Sequence, residues 1–97
     1  MKYTIKKDRI TLTDDGDILV GEISFPAIEG FPNRVVLERV FVNPDYRGQH
    51  LAADLVKRFV DYATDHQLVV KLMCPYAIKQ FKLHSEYQEL LLPEDRF

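Results

Sequence analysis

The chain has 97 residues, of which 46% are hydrophobic and 29% charged, enough for one domain with one core and too short for a second. With 13 Lys and Arg against 15 Asp and Glu, the net charge of −2 gives no general attraction to nucleic acid or to an anionic membrane, so any affinity for phosphate must be local. One cysteine rules out an internal disulfide framework, and no run is apolar enough to serve as a signal peptide or to span a bilayer, which points to the cytoplasm.

Residues 3–12 carry a first short strand candidate, with Ile10 and Leu12 on one face, ending at the turn Thr13-Asp14-Asp15-Gly16-Asp17, so that a hairpin follows. Residues 18–25 form the second strand, alternating from Val20 and closed by Pro26. Residues 27–33, with Gly30 and Pro32, have loop chemistry. Residues 35–42 are expected as one continuous, central third strand, because they hold the densest apolar content before the helix.

The spacing predicts a helix over residues 49–66. Leu51, Leu55, Phe59 and Ala63 recur every four residues, with Ala52, Val56 and Val60 beside them, and Asp54, Lys57, Arg58, Asp61 and Asp65 take the other side. Residues 68–74, apolar apart from Lys71, read as a fourth strand buried on both faces. A strand, helix, strand passage of this length makes a right-handed crossover and places strands three and four parallel. After Pro75 a second helix is expected, with Ala77, Ile78, Phe81 and Leu83 against the sheet. Tyr87 and residues 90–92 pack near the end, and residues 94–97 are frayed. The fold class is α+β: a mixed, mainly antiparallel sheet with a parallel strand 3/strand 4 pair joined by a long helix, in a single domain over residues 1–97.

The chemistry concentrates where the third strand passes into the helix, at Val42-Asn43-Pro44-Asp45-Tyr46-Arg47-Gly48-Gln49-His50-Leu51-Ala52. The first turn of a helix leaves backbone N–H groups unpaired, and the aligned peptide dipoles add partial positive charge, so an anion such as phosphate is a natural occupant. Gly48 allows close approach to the backbone, and Arg47 offers a forked donor for phosphate oxygens. A plain strand-to-helix connection with one exposed Arg accounts for the same residues. His50, His66 and His84 have no metal-ligand spacing, so no metal is expected. No Gly-Lys-Ser/Thr follows the turn, and no Gly-x-Ser-x-Gly elbow is present.

This run resembles the acyl-CoA-binding motif of the GCN5-related N-acetyltransferases, with Arg47, Gly48 and Ala52 at the basic, glycine and small positions and His50 where the motif's central glycine is usual. Met73-Cys74-Pro75-Tyr76-Ala77, followed by Phe81-Lys82-Leu83-His84-Ser85-Glu86-Tyr87, is similar to elements of a group of very small, single-domain members, with Ser85 replacing a usual Pro. The resemblance implies that acetyl-CoA is the co-substrate and an amine, small molecule or protein, the acceptor; the charge balance gives no nucleic acid or membrane partner, and a monomer or weak dimer is expected. It implies diphosphate contacts from the N–H groups of Gly48, Gln49, His50, Leu51 and Ala52, and pantetheine contacts from the main chain of Phe41 and Val42.

Small relatives often carry a His on the third strand where this chain has Arg39, which leaves Glu38 as the candidate base. Phe81-Lys82 lies near the place where larger relatives have a Tyr that protonates the departing thiolate, and Tyr76 is the candidate substitute. Cys74 at the strand end is either a small buried hydrophobe or a nucleophile that is acetylated first. The alternative to an enzyme is a CoA-binding or protein-interaction module without turnover.

Overall fold

The computed structural model describes all of residues 1–97. The long helix α1 (Leu51–Asp65) buries Leu55, Val56, Phe59, Val60 and Ala63 of the stripe its periodicity predicts, leaves that stripe's Leu51 and Ala52 half-buried, and packs this face on two sheet strands, β3 (Leu19–Ser24) and β6 (Arg39–Val42). Gly21 of β3 lets the helix come this close. A Cβ there would stand 2.9 Å from Leu55 Cδ1 and 3.1 Å from the Phe41 carbonyl oxygen. Gly21→Val is therefore expected to destabilise the fold by about 1–3 kcal/mol through overpacking, read as a lower urea midpoint.

The antiparallel half runs β1 (Lys2–Ile5), β2 (Arg9–Thr13), β3, β6 in spatial order. The Glu22 carboxylate, almost buried on the face away from α1, accepts from Arg9 at 3.1 Å and from Arg39 at 3.3 Å, tying three strands together. The other half is β4 (Ala27–Ile28), β5 (Phe31–Leu37) and β7 (Val69–Leu72). Here β5 and β7 are the expected parallel pair, in register from Arg34 with Val69 to Leu37 with Leu72. The helix α2 (Pro75–Leu83) follows β7 and buries Ala77, Gln80 and Phe81.

Five expectations need correction. The third strand is not continuous, because Glu38 interrupts it. Its N–H donates to the Ser24 carbonyl at 3.1 Å while Val36 N–H reaches the Pro26 carbonyl at 2.9 Å, so one run of chain pairs first in one sheet and then in the other. Residues 27–33 are no simple loop. They form a hairpin turned by Gly30 at φ 84°, with Pro32 in the irregular stretch of the pairing, where its missing N–H is harmless.

The fourth strand is buried on one side only, with Val70 in the core and Lys71 exposed and bridged to Asp95 at 3.0 Å. The tail is not frayed: Arg96 Nε donates to the Leu91 carbonyl, Phe97 N–H to Gln88 Oε1, and Lys82 lies over the Phe97 ring. Leu83, expected against the sheet, is exposed, while Tyr87 and Leu91 are buried. The core joins both halves, with Phe25 and Phe59 rings 4.8 Å apart and Phe81 edge-on to Tyr87 at 5.4 Å.

Candidate active site

The parallel strands part at Leu37. Its carbonyl accepts from both Met73 N–H, at 3.1 Å, and Cys74 N–H, at 3.2 Å, and beyond it the chain turns away along β6 on one side and into α2 on the other. The gap holds a cleft of about 360 Å³, walled by Val40 and Val42 of β6, by Tyr46, Arg47, Gly48 and His50 of the turn, by Leu51 and Ala52 of α1, and by Tyr76 of α2.

One wall is a strand edge. β6 is the last strand of its sheet, with Phe41 opposite Glu22, the Phe41 carbonyl beside Gly21 and Asn43 N–H bonded to the Val20 carbonyl at 2.7 Å. Backbone direction alternates along a strand, so the peptide groups of Val40 and Val42 face the open edge while those of Phe41 are committed to β3. The Phe41 ring lies on the other face of the sheet, under the Arg39 guanidinium at 4.9 Å. Val40 was not singled out by motif matching, although its place two residues before Val42 is the signal that finds it.

The other wall is a run of free amides. Asn43 Oδ1 caps the short turn Pro44–Tyr46 by accepting from Asp45 N–H at 3.0 Å, and the first helical bond of α1 is Asp54 N–H to the His50 carbonyl at 3.1 Å. Between these, the N–H groups of Gly48, Gln49, His50, Leu51, Ala52 and Ala53 donate to no acceptor within the chain. Within this run Gly48 at φ 84° and His50 at φ 59°, ψ 22° hold left-handed backbone. Six consecutive unpaired donors at the positive end of a 15-residue helix, with Arg47 adjacent, are a candidate anion cradle.

His50 thus holds the left-handed backbone that a glycine adopts freely. Its side chain is exposed on the cleft's lining and makes no hydrogen bond. Because the left-handed conformation costs a non-glycine residue about 1–2 kcal/mol, His50→Gly is expected to recover roughly 1 kcal/mol of stability despite glycine's larger unfolded-state entropy. The thermal midpoint should rise by a few degrees, and an unchanged or lower midpoint would contradict the strain.

The three candidate catalytic residues are placed differently. Tyr76, in the first turn of α2, lines the cleft half-buried, and its burial, with a smaller contribution from Cys74, raises its pKa, so the phenol keeps its proton at neutral pH. Cys74 precedes α2 and packs in the core, 9% exposed, with no side-chain hydrogen bond. Glu38 sits at the strand break, exposed, accepting from Ser24 Oγ at 3.3 Å, and is not among the residues that wall the cleft. Gln49 has an unpaired amide but is not among the residues that wall the cleft. No group of three His, Cys, Asp or Glu side chains could hold a metal ion, and no helix is long and apolar enough to cross a membrane.

Comparison with known proteins gives the same class. The profile of the GCN5-related N-acetyl-transferases matches residues 9–90, most of the chain. This chain belongs to that family. A search of curated proteins finds no match. Among solved structures, a GCN5-like protein of Staphylococcus aureus aligns over 94% of this chain and 87% of its own, with TM-score 0.73 and 20% identity.

The Escherichia coli acetyltransferase YhbS, solved with CoA, aligns over 81% of this chain and 43% of its own (TM-score 0.61, 24% identity). The diaminobutyrate acetyltransferase EctA of Paenibacillus lautus, solved with its substrate and CoA, aligns over 84% and 50% (TM-score 0.57, 20% identity). At these identities the likeness is one of fold. The chain spans about half the length of these two larger enzymes.

Proposed function

We propose that this chain binds acetyl-CoA in the cleft between β6 and α2 and transfers the acetyl group to an amine. The observation that carries the reading is the run of six unpaired amides from Gly48 to Ala53 beside the open edge of β6. A diphosphate matches the first in charge, and an extended amide-bearing arm matches the second as an added strand would. Val40 and Val42 then pair with pantetheine, and the main chain of residues 48–52 with the diphosphate. Family membership and the CoA-bound structures of the same fold support this assignment.

In the reaction the neutral amine attacks the thioester carbonyl, the C–N bond forms, the C–S bond breaks, and the electron pair leaves on sulfur. Tyr76 is the proton donor to that thiolate, since it is the cleft phenol not engaged elsewhere and burial keeps it protonated. Glu38, at the strand break outside the walled cleft, takes the amine's proton through water. Direct attack is favoured over an acetylated Cys74, because the thiol is buried without a base or hydrogen-bond partner to ionise it. The acceptor is a small molecule or protein amine met in the cytoplasm by a monomer or weak dimer.

A thiol-release assay with acetyl-CoA and a panel of amines and peptides tests the proposal. Turnover should appear with some acceptors and fall about tenfold or more in Tyr76→Phe. An intact-mass gain of about 42 Da, abolished by Cys74→Ala, would instead establish the covalent route. One observation favours a second reading, a CoA-binding module without turnover: no carboxylate or thiol lines the cleft. CoA binding without thiol release across the panel would establish it.

A further inference from the structure

The turn that presents the amides has little to hold it. Its own backbone supplies Tyr46 N–H to the Asn43 carbonyl at 2.9 Å and a marginal bond at 3.5 Å from Arg47 N–H to the Pro44 carbonyl, and of the next three residues only His50 is bonded, its carbonyl accepting from Asp54 N–H of α1 at 3.1 Å. Two of its residues, Gly48 and His50, occupy left-handed backbone regions. A segment with so few internal bonds takes its shape from whatever it is fastened to.

Besides that helix bond, both side-chain fastenings lead to the hairpin between β2 and β3. Asn43 Nδ2 donates to the Leu19 carbonyl at 3.1 Å at the root of the turn. Further along, the Tyr46 hydroxyl donates to Asp14 Oδ2 at 2.6 Å, a short charge-assisted bond. Asp14 is itself fixed, because its other oxygen accepts from Gly16 N–H at 2.9 Å and Ile18 N–H at 3.0 Å, and its backbone bonds Ile18 and Asp17. The two carboxylate oxygens thus divide their work: Oδ1 builds the hairpin and Oδ2 holds the tyrosine. Tyr46 then lines the cleft beside Arg47 and Gly48.

We infer that Asp14 and Tyr46 are positioning residues for the anion cradle: Asp14, some thirty residues away in sequence, fixes through the Tyr46 hydroxyl the geometry in which residues 48–53 present their amides. An Asp in a five-residue turn has a sufficient local reason to be there, and the bond to Tyr46 goes beyond that reason. The inference rests on the CoA reading for its ligand and on the hydrogen bonds alone for its geometry.

Tyr46→Phe removes the hydroxyl and keeps the ring in the cleft wall, so it is the cleaner variant. Asp14→Asn keeps an oxygen for the two hairpin amides and replaces the charged acceptor by a neutral amide. Isothermal titration with CoA is expected to show about three- to tenfold weaker binding for Tyr46→Phe, a smaller loss for Asp14→Asn, and no further loss when the two are combined. In the thiol-release assay KM for acetyl-CoA should rise with kcat little changed, a split that general destabilisation would not produce.

Amide ¹⁵N relaxation without any ligand should show lower order parameters over residues 48–53 in Tyr46→Phe while those of α1 from residue 55 onward stay put. Unchanged CoA affinity and order parameters in Tyr46→Phe, or additive losses in the double variant, would overturn the latch while leaving the CoA site in place. Failure of the unsubstituted chain to bind CoA would overturn the functional reading and its ligand, and the relaxation result would then decide the latch by itself.

Discussion

Gly48→Pro is expected to weaken CoA binding by at least a hundredfold, the largest effect of any single replacement in the cleft. Proline fixes φ near −65°, whereas residue 48 sits at +84°, so the turn cannot keep its path. The substitution also deletes one of the six free donors. Sterics are not the cause, since a Cβ at residue 48 meets nothing within 4 Å. Gly48→Ala should accordingly lose only about tenfold, through left-handed strain alone. Ala52→Leu probes the same cradle from the helix side by placing a larger side chain in the cleft wall, and should also lose at least tenfold. Titration with CoA, alongside circular dichroism to verify folding, reads all three. Native-like affinity in both Gly48→Pro and Ala52→Leu would mean that the diphosphate binds elsewhere.

Phe59→Ala is expected to remove about 3–5 kcal/mol of stability, against roughly 5–15 kcal/mol for a domain of this size. Phe59 is completely buried, contacts Phe25 at a ring separation of 4.8 Å, and lies in the cluster where α1 meets the sheet. A chain this short has one core, and the cavity left by the ring has few neighbours able to move in. Urea denaturation should show a much lower midpoint at similar slope. A loss under 1 kcal/mol would mean that α1 contributes less to the fold than its packing indicates.

The helix was legible because a stripe such as Leu55, Phe59 and Ala63 is fixed by local spacing alone, and the structure buries all three. The break at Glu38 was not. A strand that changes partners halfway has the same alternation as one that does not, and only the carbonyls of Ser24 and Pro26, brought alongside by the fold, decide where the pairing transfers. The anion cradle was half legible: Arg47, Gly48 and the helix start marked it, while the left-handed backbone of His50 and the partner of Tyr46 are decided by the folded chain.

The candidate chemistry divides the same way. The sequence offers Glu38 inside the third strand, Cys74 at the end of the fourth and Tyr76 just past it as candidates. Side-chain direction then separates them into a cleft phenol, a core thiol and an exposed carboxylate, and direction depends on what each strand end packs against.

By itself the sequence determined the family, the long helix, the parallel pair and the turn that gathers free amides, since periodicity, glycine placement and short motifs are properties of neighbouring residues. Only the tertiary structure decided that β5 parts from β7 after Leu37 to open a cleft, which peptide groups face it, and that Asp14 reaches Tyr46. Those features are set by contacts between segments far apart in the chain, where local preference has no hold.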